Sequence, residues 1–98
     1  MAYQIRFEVG AKKDFKKIDN SIKIKIIKFL KKLESREDPR TLGESLEENL
    51  SGYWKYRVGD YRLVVEIQDD VLIILMLVVS KRDTVYKIAD TRLNRMRY

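Results

Sequence analysis

The sequence predicts an α+β fold in which two helices pack on one face of a four-stranded sheet and a third helix ends the chain. Two observations support this prediction. Near the amino end and again after residue 52, apolar and polar residues alternate, as they do in strands. Between these stretches and at the carboxyl end, apolar residues recur every three or four positions, as they do in helices. The 98 residues suffice for a single domain, 1–98.

The first strand is predicted over 2–8, where the apolar Tyr3, Ile5 and Phe7 alternate with polar side chains. One face of this strand should therefore be buried. From residue 11 onwards, in the stretch AKKDFKKI, the pattern changes to that of a first helix. The predicted order of elements begins strand, helix, helix.

A second and longer helix is predicted from Ser21 or just before it, because the side chains of DNS at 19–21 can cap a helix start. It should end before Pro39, since the residue preceding a proline avoids helical geometry. Lysines cover its other faces. Such lysines usually form the solvent-exposed face of an amphipathic helix, and the alternative is that they bind nucleic acid. Ile24 departs from the apolar stripe, which consists of Ile22, Ile26, Phe29, Leu30 and Leu33.

Residues 37–51 are predicted to be a connection, and a three-stranded meander follows them. The turn pairs Gly59-Asp60 and Asp69-Asp70 separate its strands. If each pair forms a two-residue loop, the register of both hairpins is fixed.

In that register Arg57 faces Arg62 across the first hairpin, and Leu63 faces Met76 across the second. The face toward the helices is then formed by Trp54, Tyr56, Val58, Tyr61, Leu63, Val65, Ile67, Leu72, Ile74, Met76 and Val78. The opposite face carries Lys55, Arg57, Arg62, Val64, Glu66, Ile73, Leu75, Leu77 and Val79.

The last strand, VLIILMLVV, is apolar on both faces, which predicts an interior strand with the first strand on its other edge. The tail then predicts an amphipathic helix. Docking on the domain is its expected role, and a partner-facing element is the alternative. Its apolar stripe consists of Val85, Ile88, Ala89, Leu93 and Met96.

Composition limits the possible chemistry. The formal net charge is +6 and the pI is near 9.6, which fits either a protein that meets polyanions or ordinary solubility charge. The chain has no cysteine and no histidine, which excludes disulfides, thiol nucleophiles, Cys/His zinc sites and acid–base catalysis by histidine. We expect no metal and no cofactor. The sequence has no signal-peptide pattern and no long apolar run, so a cytoplasmic protein without membrane contact is the expectation.

Five basic residues are predicted to meet at the turn end of the first hairpin. Arg57 and Arg62 face each other, Lys55 lies on the same face, and Lys81 and Arg82 end the adjacent strand. Facing like charges destabilise a sheet by about 0.2 to 1 kcal/mol. An anion would relieve this repulsion, and guanidinium groups match phosphate geometry.

The alternative is that these side chains extend into water or pair with Glu66 and Asp60. If the face is catalytic, RNA cleavage by the 2′-OH needs a proton acceptor, stabilisation of charge on the phosphorane and a proton donor, and each proton step contributes about 10²- to 10⁴-fold. Neighbouring cations can depress a lysine pKa and make it a base, while arginine can hold the developing charge. Tyr86 is a candidate to stack on a base.

The sequence resembles the RelE side of the RelE/ParE toxin superfamily, the toxins of toxin–antitoxin modules. The resemblance covers nearly the whole chain and rests on LEENLSGYWKYRVGDYRLVVEI, VLIILMLVV and SKRDTVYKI. It implies a RelE-like domain, a metal-independent endoribonuclease that cleaves mRNA in the ribosomal decoding site and inhibits translation. Implied partners are a cognate antitoxin, the ribosome and mRNA, with operator DNA bound only through the antitoxin complex. The tail helix and an edge strand around 53–58 are the predicted antitoxin contacts.

The resemblance also implies catalytic roles. Lys55 matches a basic residue that contacts phosphate, Arg62 the arginine that stabilises the scissile phosphate, and Arg82 an arginine assigned to phosphate stabilisation or general-acid work. Tyr86 matches the tyrosine that stacks on or orients the substrate base, although its spacing from Arg82 is two residues shorter than in the prototype. Arg57 stands where the prototype has a lysine proposed as general base.

Arginine is a weak base, so this departure leaves two possibilities: deprotonation by Lys55, or reliance on positioning by the ribosome. Lys81 is expected to bind substrate. Two other functions stay open, a ParE-like inhibitor of DNA gyrase and a non-catalytic nucleic-acid-binding module that uses the same basic face.

Overall fold

The computed structural model describes residues 3–96 and confirms the α+β class. Within that range a mixed sheet has the strand order β1-β5-β4-β3-β2, in which β1 runs parallel to β5 and every other pair is antiparallel. The strands are β1 Gln4–Phe7, β2 Glu44–Ser45, β3 Trp54–Val58, β4 Tyr61–Gln68 and β5 Ile73–Lys81. The helices are α1 Val9–Lys16, α2 Asn20–Glu34 and α3 Val85–Met96, and short 3₁₀ turns cover Pro39–Leu42 and Glu48–Leu50.

The sheet has five strands in the described residues, where the sequence predicted four. The additional strand is β2, in the segment 37–51 that was predicted only to connect, and Glu44 and Ser45 pair with Lys55 and Trp54. Two residues are too few to show an alternating pattern, which explains why the sequence did not reveal the strand. Because β2 covers the start of β3, only the last residues of β3 form an edge.

The start of α1 differs from the predicted one, whereas α2 begins at Asn20, just before Ser21, as predicted. α1 begins two residues earlier than expected, and the carboxylate of Glu8 accepts a hydrogen bond from the Gly10 amide at 3.0 Å. α2 begins after Asp19, but no side chain caps it by a hydrogen bond, so the predicted capping by 19–21 is wrong. The apolar stripe of α2 is confirmed: Ile26, Leu30 and Leu33 are buried.

The first hairpin has the predicted register, with Arg57 opposite Arg62. The second does not, because its loop spans 69–72 and β5 contains a bulge. Val65 pairs with Met76 while Val64 pairs with Val78, which leaves Leu77 as an extra residue.

The bulge reverses the faces of β5 beyond Leu77. The longer loop shifts the register by two residues and the bulge by one more, so Leu63 faces Val79 and not Met76. Val79 packs in the core under α1 and α2, whereas Val78 packs on the other side, so the predicted faces of these two valines were wrong. By the same reversal Ser80 comes to face Arg62, and Lys81 faces Tyr61.

The sheet has a core on each face. One lies against α1 and α2, as predicted, and the other lies under α3. The expected docking of the tail helix is confirmed: Val85, Ala89 and Leu93 are buried against Leu77 and other sheet residues. The Met96 side chain, the last member of the predicted stripe, and residue 2 of the predicted first strand lie outside the described part. Among the described helices none is both long and apolar enough to cross a membrane.

A polar cluster lies at the carboxyl end of β4. Arg40 donates to both carboxylate oxygens of Asp69, at 3.1 and 2.6 Å, and the Tyr3 hydroxyl donates to the same carboxylate at 2.5 Å. The Arg40 guanidinium also lies 5.7 Å from the ring centroid of Trp54. The hydrogen bonds from Arg40 and then Tyr3 hold the pKa of Asp69 below its usual value. We call Tyr3, Arg40 and Asp69 the paired cluster.

Candidate functional site

The candidate site lies at the other end of β4, on the sheet face that carries α3. A two-residue turn joins β3 to β4 there, and Gly59 occupies it with a φ of 57°, a left-handed conformation that glycine adopts without strain. The Arg62 guanidinium folds back on this turn and donates to the carbonyl oxygens of Gly59 and Tyr61, at 2.8 and 2.9 Å. The turn thus fixes Arg62 directly opposite Arg57.

The docking of α3 brings Tyr86 to Lys55. The Lys55 Nζ donates a hydrogen bond to the Tyr86 hydroxyl at 2.5 Å and lies 5.2 Å from the centroid of the Tyr86 ring. The side chain of Lys55 is only 12% exposed, whereas Tyr86 is 43% exposed. The ring therefore offers a surface to solvent while an ammonium group holds its hydroxyl.

Glu44 is a member of the site that the sequence did not indicate. Its Oε1 lies 3.0 Å from Arg57 Nη2 and 3.9 Å from Lys55 Nζ. The short strand β2 positions it, because Glu44 pairs with Lys55 across β2 and β3. In the sequence it is one acid among several in a connecting segment, so nothing in its spacing marks it.

Arg82 and Lys81 lie at the same end of the sheet, one just after β5 and the other at its last residue. The backbone amide of Arg82 donates to the Asp60 carbonyl at 2.9 Å, which holds this residue beside the hairpin turn with its side chain exposed. Lys81 instead lines a shallow pocket with Lys25 and Tyr61 on the α2 side of the sheet. Arg82 and Arg62 are therefore both held at the same hairpin turn, and Lys81 faces Tyr61 on the other side of the sheet.

We call Lys55, Arg57, Arg62 and Arg82 the cationic cluster. The alternative partners expected from the sequence are not used: within the described residues neither Glu66 nor Asp60 forms an ion pair. Glu44 is the acid that lies within ion-pair distance of the cluster there. Four cationic residues thus lie at this end of the sheet while one carboxylate pairs with two of them, an arrangement suited to a bound phosphate.

Comparisons with known proteins identify the family of the chain. The sequence model of a family described as the ParE toxin of the type II toxin–antitoxin system parDE matches residues 5–86. The chain belongs to this toxin family. It is 32% identical over 87 residues to the toxin RelG of Mycobacterium tuberculosis, which covers 89% of this chain and 99% of RelG. It is 33% identical over 96 residues to a putative RelE-like toxin protein of Escherichia coli, covering 95% and 99% of the two chains.

Solved structures show the same fold. A chain of the toxin–antitoxin complex RelBE2 of Mycobacterium tuberculosis superimposes with a TM-score of 0.76 at 29% identity, covering 84% of this chain and 100% of that one. A double arginine-to-alanine mutant of Escherichia coli RelE in the free state gives a TM-score of 0.75 at 22% identity, covering 97% and 98%. The protein is thus a RelE-like toxin of a type II toxin–antitoxin system.

Proposed function

We propose that this toxin is a ribosome-dependent endoribonuclease of the cytoplasm that cleaves mRNA in the decoding site and so inhibits translation. The contact of Lys55 with Tyr86, next to the facing Arg57 and Arg62, supports this proposal most strongly. The site combines an aromatic ring on which a base can stack with cations that can bind a phosphate. Proteins use these two features to bind single-stranded RNA. The RelE-like relatives add support, since their sequences match nearly the full chain.

In the proposed reaction the 2′-oxygen of a nucleotide attacks the adjacent phosphorus, and the bond from phosphorus to the 5′-oxygen breaks. The products are a 2′,3′-cyclic phosphate and a 5′-hydroxyl. Arg62 and Arg82 would hold the negative charge that develops on the phosphorane. Arg62 is suited to this because its guanidinium is already fixed against the turn, so little reorganisation is needed. The reaction as proposed uses neither metal nor cofactor.

Glu44 is proposed as the acceptor of the 2′-OH proton. Arg57 is a poor base, and the Nζ of Lys55 is already engaged in a hydrogen bond to Tyr86. The carboxylate lies between these two cations and is half exposed, so substrate can reach it. The ammonium of Lys55 would then contact phosphate and orient Tyr86, while Arg57 would hold the carboxylate in place.

Tyr86 is proposed to stack on a base of the mRNA, and Arg82 to donate the proton to the leaving 5′-oxygen or to stabilise it. Arginine gives up a proton reluctantly, so this step would depend on the ribosome to hold the RNA in line. Lys81 would bind RNA that passes round the hairpin turn, because it lies at the same end of the sheet on the other face.

We further propose a cognate antitoxin as partner, with operator DNA bound only through the complex. Toxin–antitoxin complexes such as RelBE2 of Mycobacterium tuberculosis have toxin chains of the same fold. The proposed contacts are α3 and the part of the β3 edge that β2 leaves uncovered.

Primer extension on mRNA from translating extracts tests the enzyme proposal. The intact protein should produce new 5′ ends within translated codons. Arg62→Ala and Arg82→Ala should each remove these ends, and Arg36→Ala, a change of an exposed arginine far from the site, should keep them. If every message stays uncut with the intact protein, the endoribonuclease proposal is wrong.

A ParE-like inhibitor of DNA gyrase is the second candidate, supported by the description of the matching family. It predicts that gyrase supercoiling stalls while mRNA stays intact, and a supercoiling assay on the same protein preparations measures this. A non-catalytic nucleic-acid-binding module predicts binding with neither effect.

A further inference from the structure

A second charged site joins α1 to α3 away from the cationic cluster. The Arg92 guanidinium forms a two-pronged ion pair with Asp14, at 2.8 and 3.2 Å. Less than a quarter of each side chain is exposed. Every other ion pair between described residues has at least one partner that is more than half exposed. Solvent therefore screens the Asp14–Arg92 pair less than the others.

The same two side chains also bind the backbone of β5. Arg92 donates to the Leu77 carbonyl at 2.8 Å, and Asp14 accepts from the Val79 amide at 3.0 Å. β1 ends at Phe7, which pairs with Met76, so no strand continues along this edge of β5. The ion pair thus replaces a strand partner beside the bulge and fastens three elements at one point.

Gly10 is part of this arrangement. A Cβ at this position would lie 3.0 Å from the guanidinium of Arg92. Because glycine has no side chain, this position leaves room for the Arg92 guanidinium beside the first turn of α1.

The orientation of α3 depends on polar contacts between its side chains and the rest of the chain. A helix of this length is marginally stable alone in water, and its buried stripe contains only small and medium side chains, Val85, Ala89 and Leu93. Between described residues, the side-chain contacts that tie α3 to the rest of the chain include Lys55 with Tyr86, Asn49 with Asp90, and Asp14 with Arg92. The last is the one that reaches both β5 and α1.

We propose that Asp14 and Arg92 are positioning residues that set the orientation of α3 and so hold Tyr86 against Lys55. The inference rests on the proposed endoribonuclease function for its effect on cleavage, but its structural part does not. Arg92 lies six positions after Tyr86, about 9 Å along the helix at 1.5 Å per residue, so a tilt at one end displaces the other. A displacement of about 1 Å can cost about 10²-fold in rate.

The first test needs no activity. In the full-length protein, the nuclear Overhauser effect between the Lys55 side chain and the Tyr86 ring should be lost in Arg92→Ala and in Asp14→Asn. Amide hydrogens of α3 should exchange faster in both. Arg92→Lys, which keeps a charged donor, should restore part of the signal, and Arg36→Ala should leave it unchanged. An intact Overhauser effect in folded Arg92→Ala protein, or in Asp14→Asn if Arg92→Ala does not fold, would overturn the proposal.

The second test is a double-mutant cycle on mRNA cleavage. Arg92→Ala should lower the rate by about 10²-fold in the unaltered background and hardly at all in a Tyr86→Ala background, because its effect acts through that ring. Equal losses in both backgrounds would show a merely structural role. If no variant cleaves, including the unaltered chain, the endoribonuclease proposal fails while the first test still decides on the positioning pair.

Discussion

Arginine occurs at both ends of β4, but only at one end is its charge fully paired. In the paired cluster, Arg40 has a carboxylate on both of its terminal nitrogens and a tyrosine hydroxyl shares that carboxylate. In the cationic cluster, Arg57 and Arg62 face each other and Glu44 is half exposed between two cations. An arginine that is fully paired stabilises the fold. An excess of positive side chains over carboxylates costs stability and indicates a site where a ligand binds.

The largest loss of mRNA cleavage is expected when Glu44 is changed. If it accepts the 2′-OH proton, Glu44→Gln should lower mRNA cleavage by about 10²- to 10⁴-fold. Binding of RNA should persist, since the change removes a negative charge from a cationic site. The rate of cleavage and the affinity for RNA should be measured on the same preparations.

Glu47→Gln is the matched control, because it makes the same change on an exposed neighbour that forms no ion pair among the described residues. It should cleave normally. Normal cleavage by Glu44→Gln as well would exclude the carboxylate and return the role of base to Lys55.

The second effect concerns Arg62. Arg62→Ala should reduce cleavage by about 10² to 10³-fold, as expected when one donor to a developing anion is lost. Its free energy of unfolding should change by less than about 1 kcal/mol, because the lost hydrogen bonds to the turn are offset by relief of repulsion from Arg57. Urea denaturation gives the stability. A large loss of stability would mean that Arg62 belongs with the structural arginines.

Arg40→Ala should show the opposite behaviour. It removes both hydrogen bonds to Asp69 and the contact with the Trp54 ring, so the melting temperature should fall by a few degrees. Cleavage of mRNA should be unchanged below the melting temperature, because the paired cluster lies at the far end of β4. Reduced cleavage by folded Arg40→Ala protein would contradict the division of the two ends.

The sequence predicted the cationic cluster better than it predicted the sheet around it. Strand alternation and a two-residue turn are enough to put Arg57 opposite Arg62, and the register is confirmed. The bulge at Leu77 could not be foreseen, because β5 is apolar on both faces and a shift of one residue leaves its hydrophobic pattern unchanged. That shift is why Lys81 and Arg82 do not lie where alternation alone would put them.

The sequence also did not predict the roles of Glu44 and of the Asp14–Arg92 pair, for a different reason. Each depends on elements distant in the chain that meet only after folding, and neither a two-residue strand nor a lone aspartate in a helix has a periodic signal. The roles of Lys55, Arg57, Arg62, Arg82 and Tyr86 stay predictions until cleavage is measured.

The smallest expected effect is the pH dependence of the paired cluster. Arg40 and Tyr3 lower the pKa of Asp69 in the folded protein relative to about 3.9 in an unfolded chain. The unfolded state therefore binds this proton more readily, so Asp69 stabilises the fold above the unfolded pKa and loses its contribution as the pH falls through the folded pKa.

The variant Asp69→Asn has no ionisable group at this position. Its urea midpoint should lie below that of the unaltered protein at pH 7, and the difference should shrink steadily below about pH 4. Asp70→Asn, a change of an exposed neighbour in the same loop, should show a smaller difference. A constant gap between Asp69→Asn and the unaltered protein from pH 7 to pH 3 would mean that the carboxylate is not held by its charge, and that the two ends of β4 differ less than their geometry indicates.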